Sequence, residues 1–244
     1  DAVKYTSAEA GIEINLQCNF AKSIEDQDTA KIGYDSLFNI ENIIAGNHDD
    51  LINGDQYSNS IFGEGGNDTI YGDEGDDSLD GGKGDDTLSA GSGSDSVFGG
   101  EGADTILFGS NLEATDRVDG GTGLDHLHFS DNGSEISDLN GVYNVEAITL
   151  GNASTNIQAV DTLVSSGETL TVNAANLYGI NTLVWDGSSE ADGSFEIIGS
   201  GQADIIKGGW GDDTLNGGLG ADTLFGGNGS DTFKFSSTHG LDVI

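Results

Sequence analysis

The chain has no proline, no methionine, one cysteine and only 7 basic residues among 244. With Cys18 alone, no intrachain disulfide exists, so stability outside a cell has to come from something other than sulfur. The scarcity of Lys and Arg against 43 acidic residues leaves a formal net charge of -36, which excludes nucleic acid and anionic membrane surfaces as natural partners. Long apolar runs are missing as well. The longest clusters, such as Asn42-Ile43-Ile44, are the size of a strand, so membrane insertion by this chain is not expected. An apolar fraction of 35% describes a thin core rather than a broad, centred one. The chain opens at Asp1 without Met or a signal peptide and stops at Val243-Ile244 in mid-pattern, and is read as a piece of something larger.

What is present is glycine and acid in register. A charge of this size opposes any compact state unless cations are bound in it, and together with low hydrophobicity it is also the mark of a disordered linker. The spacing argues against a linker. Asp50, Asn59, Asp68, Asp77, Asp86, Asp95 and Asp104 fall every nine residues, each followed two residues on by an apolar side chain: Ile52, Ile61, Ile70, Leu79, Leu88, Val97 and Ile106. After an insertion around 108–115 the register resumes at Asp116/Val118 and Asp125/Leu127. A second block follows at Asp204/Ile206, Asp213/Leu215, Asp222/Leu224 and Asp231/Phe233. The complete unit is Gly-Gly-x-Gly-x-Asp-x-U-x with U large and apolar, as in Gly81-Gly82-Lys83-Gly84-Asp85-Asp86-Thr87-Leu88-Ser89.

The physical consequences follow from that unit. The x-U-x triplet is a short strand that sends one side chain inward, so two nonapeptides make one turn of a flattened spiral with a single file of Ile, Leu, Val and Phe as its core. The Gly-rich half reverses the chain tightly, and the absence of proline suits strands that need every amide for parallel pairing. Stacking places Asp50, Asp68, Asp86 and Asp104 on one edge and Asn59, Asp77 and Asp95 on the other. Carboxylates stacked at a strand spacing of about 4.8 Å repel unless a cation lies between them. A hard ion accepting roughly six to eight oxygens at about 2.3–2.6 Å, calcium rather than magnesium, answers that need; softer metals call for the Cys and His that the repeats mostly lack.

The nonapeptide resembles that of the RTX (repeats-in-toxin, haemolysin-type) family, whose calcium-binding repeat is a signature of the parallel β-helix. The resemblance implies an all-β fold, a right-handed parallel β-roll or β-solenoid with several calcium ions in the Gly/Asp turns. It also implies a ligand rule: each ion takes the carbonyls of positions two and four and the Asp of one turn, with the carbonyls of positions one and three and the Asp of the turn stacked on it. That gives Glu64, Gly66 and Asp68 with Gly81, Lys83 and Asp86; Asp73, Gly75 and Asp77 with Ala90, Ser92 and Asp95; and Gly82, Gly84 and Asp86 with Gly99, Glu101 and Asp104. It extends to Gly100, Gly102 and Asp104 with Gly120, Thr122 and Asp125. In the second block it gives Ser200, Gln202 and Asp204 with Gly217, Leu219 and Asp222, and Gly209, Gly211 and Asp213 with Gly226, Asn228 and Asp231. At the near margin stand Gly46, His48 and Asp50 with Gly63, Gly65 and Asp68, and Asn59 with Gly72, Glu74 and Asp77. Asn59 in place of Asp, and His48, Tyr57 and Gln202 in place of the fourth-position Gly, predict weak or absent binding in those turns. Asp95 with Asp116, and Asp104 with Asp125, pair only if the insertion bulges out.

The division expected is 1–44 as lead-in rungs that cap the roll, 45–128 as a first block, 129–198 as solenoid rungs without calcium corners or a small separate β insert, and 199–244 as a second block. Gly11–Leu16 alternates like a half-buried strand, and 147–150, 169–172, 182–185 and 195–198 are short β-type runs. No catalytic motif is present, so an enzyme is not expected within this chain. His126 and His128 flank Leu127 without a third ligand in view; His48 and His239 are isolated. The Asp pairs, such as Asp76-Asp77 and Asp85-Asp86, read as ligands and neighbouring charge rather than a glycosidase pair. Trp210 falls in a corner where a sugar could stack, whereas Trp185 falls in a rung. The family's habit implies a secreted or cell-surface module that folds on calcium after export, and the interruption of the repeats by plain solenoid rungs points to a surface-layer or adhesin context. The alternatives are the accessory roll of a secreted enzyme or toxin, and a polysaccharide-binding module. Partners are then calcium, with other copies of the chain or cell-surface polysaccharide.

Overall fold

The computed structural model describes residues 1–24, 34–130, 138–235 and 240–244. Among them the regular structure is almost wholly β, with one 3₁₀ turn at Asp138–Gly141. The chain forms two compact units, one of 1–108 with 116–125 and the other of 109–115 with 126–244.

The first unit is a parallel β-roll whose nonapeptides alternate between two sheets. One sheet carries Ala2–Lys4, Asn42–Gly46, Ser60–Glu64, Ser78–Lys83, Ser96–Glu101 and Arg117–Thr122. The other carries Ile12–Asn15, Leu51–Asp55, Thr69–Glu74, Thr87–Ser92 and Thr105–Gly109. Register follows the repeat: Ile52 pairs with Ile70, Ile70 with Leu88 and Leu88 with Ile106; across the roll Ile43, Ile61, Leu79, Val97 and Val118 form the matching file. These side chains are wholly or almost wholly buried. The core is therefore one residue wide on each sheet, and flanking residues such as Phe62, Tyr71 and Phe98 face outward because alternate side chains point to opposite sides of a strand. At the start of the roll Ile12–Asn15 turns back antiparallel onto Phe20–Ser23, which pairs antiparallel with Tyr34–Ser36.

In the second unit the strands are again parallel, with His126–Phe129, Ala147–Leu150, Thr169–Asn173, Ser194–Ile198, Thr214–Asn216 and Thr232–Phe233 in one sheet and Thr155–Gln158, Leu183–Asp186, Ile205–Lys207 and Thr223–Phe225 in the other. Its first rungs are longer: Thr155 pairs with Leu183, whereas Ile205 pairs with Thr223. Longer rungs enclose larger side chains. Phe129, Trp185 and Phe195 are fully buried, and the last two meet edge to face at 5.5 Å between ring centres.

Candidate metal centre

The nonapeptide Asp residues are turned inward at the corners, all but Asp231 being buried. Asp50, Asp68, Asp77, Asp86, Asp95, Asp104, Asp116, Asp125, Asp204, Asp213 and Asp222 are all buried, as is Asn59. One carboxylate oxygen has the same task in each: Oδ1 accepts a main-chain N–H from the turn below. Asp50 N donates to Asp68, Asp68 N to Asp86, Asp86 N to Asp104 and Asp77 N to Asp95, at 2.7–2.9 Å. The insertion does not break this column. Asp95 N reaches Asp116 Oδ1 and Asp104 N reaches Asp125 Oδ1, both at 2.8 Å. Residues 109–115, in which the excess over the eighteen-residue turn falls, belong to the second unit, and Val97 keeps its register with Val118.

The second carboxylate oxygen divides the turns into two kinds. In Asp68, Asp77, Asp86, Asp95 and Asp104, Oδ2 is buried without a hydrogen-bond partner. In Asp50, Asp204 and Asp213 it accepts the N–H of the second-position residue of its own turn: Gly46 at 3.0 Å, Ser200 at 2.6 Å and Gly209 at 2.8 Å. Asn59 does the same with its amide oxygen, accepting from Asp55 at 2.8 Å. The backbone explains the split. Position two of the open turns is left-handed, with φ +73° at Glu64, +75° at Asp73, +100° at Gly82, +109° at Gly91 and +118° at Gly100; Gly46, Asp55, Ser200 and Gly209 lie outside that region. Left-handed φ carries strain for Glu64 and Asp73, which have a Cβ.

A buried anionic oxygen with no donor is costly. Its cost shows in the acidities. Burial, with neighbouring carboxylates adding to it and the amide bond to Oδ1 offsetting part, pushes Asp68 up to about 8, Asp77 to about 7, and Asp86, Asp95 and Asp104 to about 6. Burial also raises Asp50, to about 6, and Asp204 and Asp213, against the lowering by their own amide donors.

Main-chain carbonyls stand around the orphaned oxygens. Oδ2 of Asp68 and the carbonyl oxygen of Gly81 crowd the same point beside the Cα of Gly63; Asp77 with Ala90 do so at Gly72, Asp86 with Gly99 at Gly81, and Asp104 with Gly120 at Gly99. A Cβ at these glycines would fill the place. The carbonyls of Glu64 and Gly66 face Gly82 and Gly84 of the turn above. Those of Lys83, Ser92, Glu101 and Thr122 each accept one N–H from position four of the turn below, at 2.8–2.9 Å, and retain a second lone pair. Two carboxylates and several carbonyls per turn pair is an oxygen set suited to a hard divalent ion. Among the described residues no group of three or more His, Cys, Asp or Glu side chains capable of holding a metal is assembled, so the carbonyls are indispensable to this set.

A family model described as the RTX calcium-binding nonapeptide repeat (4 copies) matches residues 44–79, 71–106 and 198–233. These segments are RTX calcium-binding repeats. Calcium is the ion that such repeats take, they typically occur in secreted proteins, and a β-solenoid of this kind is a structural module rather than a catalytic fold. No curated protein matches the chain. No helix among the described residues is long and apolar enough to cross a membrane.

In the RTX turns the fifth position has a task that the sequence did not disclose. Asp49 accepts from Asn67 N, Asn67 from Asp85 N, Asp85 from Ala103 N and Asp76 from Ser94 N, at 2.7–3.0 Å. The first acid of each Asp pair thus stitches its turn to the next on the solvent side. Of the other singled-out residues, His126 and His128 flank buried Leu127, and the His126 ring is 2.7 Å from Thr149 Oγ1 and is lowered in pKa, first by burial and then by His128. Trp210 is exposed, beside Lys207 and Phe225. Cys18 is an exposed free thiol, and His239 lies outside the described residues.

Proposed function

We propose that the chain is the calcium-folded structural module of a secreted surface-layer or adhesin-like protein, with its ions held between Asp68 and Asp86, Asp77 and Asp95, Asp86 and Asp104, and Asp104 and Asp125. The observation that carries this reading is the row of buried carboxylate oxygens without hydrogen-bond partners at Asp68, Asp77, Asp86, Asp95 and Asp104. A cation between turns relieves those oxygens and the repulsion between stacked carboxylates together. The carbonyls of Glu64, Gly66, Gly81 and Lys83 complete the first such set, and the equivalent positions complete the others. Because only the wound chain presents these sites, calcium stabilises the roll by mass action. An affinity in the range of about 10⁻⁴–10⁻³ M, usual for extracellular modules, would leave the sites empty before export and fill them afterwards.

The surface-layer or adhesin context is supported by the second unit, where parallel rungs of ordinary apolar packing interrupt the repeats. The test is a calcium titration of the metal-stripped chain followed by circular dichroism and amide exchange. Calcium should raise β-structure and slow exchange over 60–106 by at least tenfold. Unchanged exchange there with calcium present would overturn the reading.

A further inference from the structure

The self-closed turns occupy one place in the architecture. They are the first nonapeptide turn on each edge of each repeat block: Asp50 and Asn59 in the first, Asp204 and Asp213 in the second. In each, the corner oxygen that a cation would take already accepts the second-position N–H. Asp204 is held further by the Ser200 hydroxyl on Oδ1 at 2.8 Å.

We infer that these four base turns are closed by their own backbone amides and take no calcium, so that the pairs Asp204/Asp222 and Asp213/Asp231 are ion-free although their sequence is that of the repeat. This rests on the calcium reading above and narrows it: the cation column begins one turn above each base. The amide does at the base what the ion does higher up, giving the corner carboxylate a positive partner. It does so only where position two is not left-handed. For an ion to enter the Asp213 turn, Gly209 N–H would have to give up its bond to Oδ2 and the peptide would have to turn over.

The test uses the full chain and calcium chloride. Equilibrium dialysis compares the wild type, Asp86→Asn and Asp213→Asn. Asp86→Asn should lose bound calcium, because that carboxylate faces both Asp68 and Asp104, whereas Asp213→Asn should bind as many ions as the wild type. A folded Asp213→Asn chain that binds fewer ions overturns the inference. Should that variant not fold, amide exchange of the calcium-loaded wild type decides: Gly209 and Ser200 N–H as protected as those of Thr214–Asn216 support closure, and free exchange at Gly209 with the strand protected overturns it. A wild-type chain that binds no calcium overturns the proposed function, and with it the division into two kinds of turn.

Discussion

Gly81–Asp86 reads Gly-Gly-Lys-Gly-Asp-Asp and Gly208–Asp213 reads Gly-Gly-Trp-Gly-Asp-Asp, one residue apart, yet the two turns close differently. In the first, Gly82 is left-handed and Asp86 Oδ2 has no partner; in the second, Gly209 is outside that region and donates to Asp213 Oδ2. The difference lies beneath them. Gly82 faces the carbonyl of Glu64 and so stands over another repeat turn, Gly63–Asp68. Gly209 stands over 187–193, which is not a repeat turn and is organised by a buried carboxylate of another kind: Glu190 Oε1 accepts the N–H groups of Ala191, Asp192 and Gly193 at 3.0–3.2 Å, and Oε2 that of Val164 at 3.3 Å. A turn's conformation is thus set by its neighbour as well as by its own letters, as expected where each repeat contacts only the one before and the one after.

The sharpest way to break this comparison is to change the charge of the open turns without metal. Burial holds Asp86, Asp95 and Asp104 near 6, Asp77 near 7 and Asp68 near 8, against about 3.9 for an unfolded Asp. A folded-state value above the unfolded one means that protonation favours the fold. That stabilisation is fully present below pH of about 4 and is lost as pH rises through the folded values, about 6 to 8. A metal-stripped chain in metal-free buffer should therefore keep high amide protection factors over 60–106 at pH 5 and lose them by pH 8, while calcium added at pH 8 restores them. The rungs over 147–198, whose core is apolar, should change far less. Protection factors over 60–106 that increase as pH rises without metal would contradict the account.

Removing the apolar core of the second unit should give the opposite pattern. Trp185 is fully buried with its edge-to-face partner Phe195, and truncation leaves a cavity that short parallel strands cannot fill. Trp185→Ala should cost about 3–5 kcal/mol in urea unfolding of that unit, with calcium bound over Asp68–Asp104 unchanged. A loss of calcium from those turns would show that the two regions do not depend on separate sources of stability.

The nonapeptide made the strands, the inward file of Ile, Leu and Val, and the corner position of each Asp legible in the sequence, because one periodic constraint fixes all three. The non-glycine residues His48, Tyr57 and Gln202 at position four also point to turns that differ, and the turns at Asp50, Asn59 and Asp204 are self-closed. The Asp213 turn was not legible. Gly209 and Gly211 permit either hand of backbone, so the letters leave the choice to the rung below. The reversal at Ile12–Ser23 was hidden for a related reason: alternation marks a half-buried strand without saying whether its partner runs parallel. Glu190 gave no signal because a lone Glu between Ser189 and Ala191 looks like surface charge, and only the fold supplies its four donors.

That carboxylate supplies the smallest and most local test of the comparison. Glu190 is buried like the repeat Asp residues, but both of its oxygens are met by backbone N–H groups. Glu190→Gln keeps one acceptor oxygen, removes the charge and turns an NH₂ toward Val164 N–H, leaving a donor facing a donor. The expected cost is about 1–3 kcal/mol, the range for a buried polar group left without its partner. Urea unfolding followed through Trp185 fluorescence measures it, and calcium stoichiometry should not move, since no repeat Asp is touched. A variant as stable as the wild type would mean that the 187–193 turn holds its shape without the carboxylate, and that the base beneath Asp213 is fixed by the rung's packing instead.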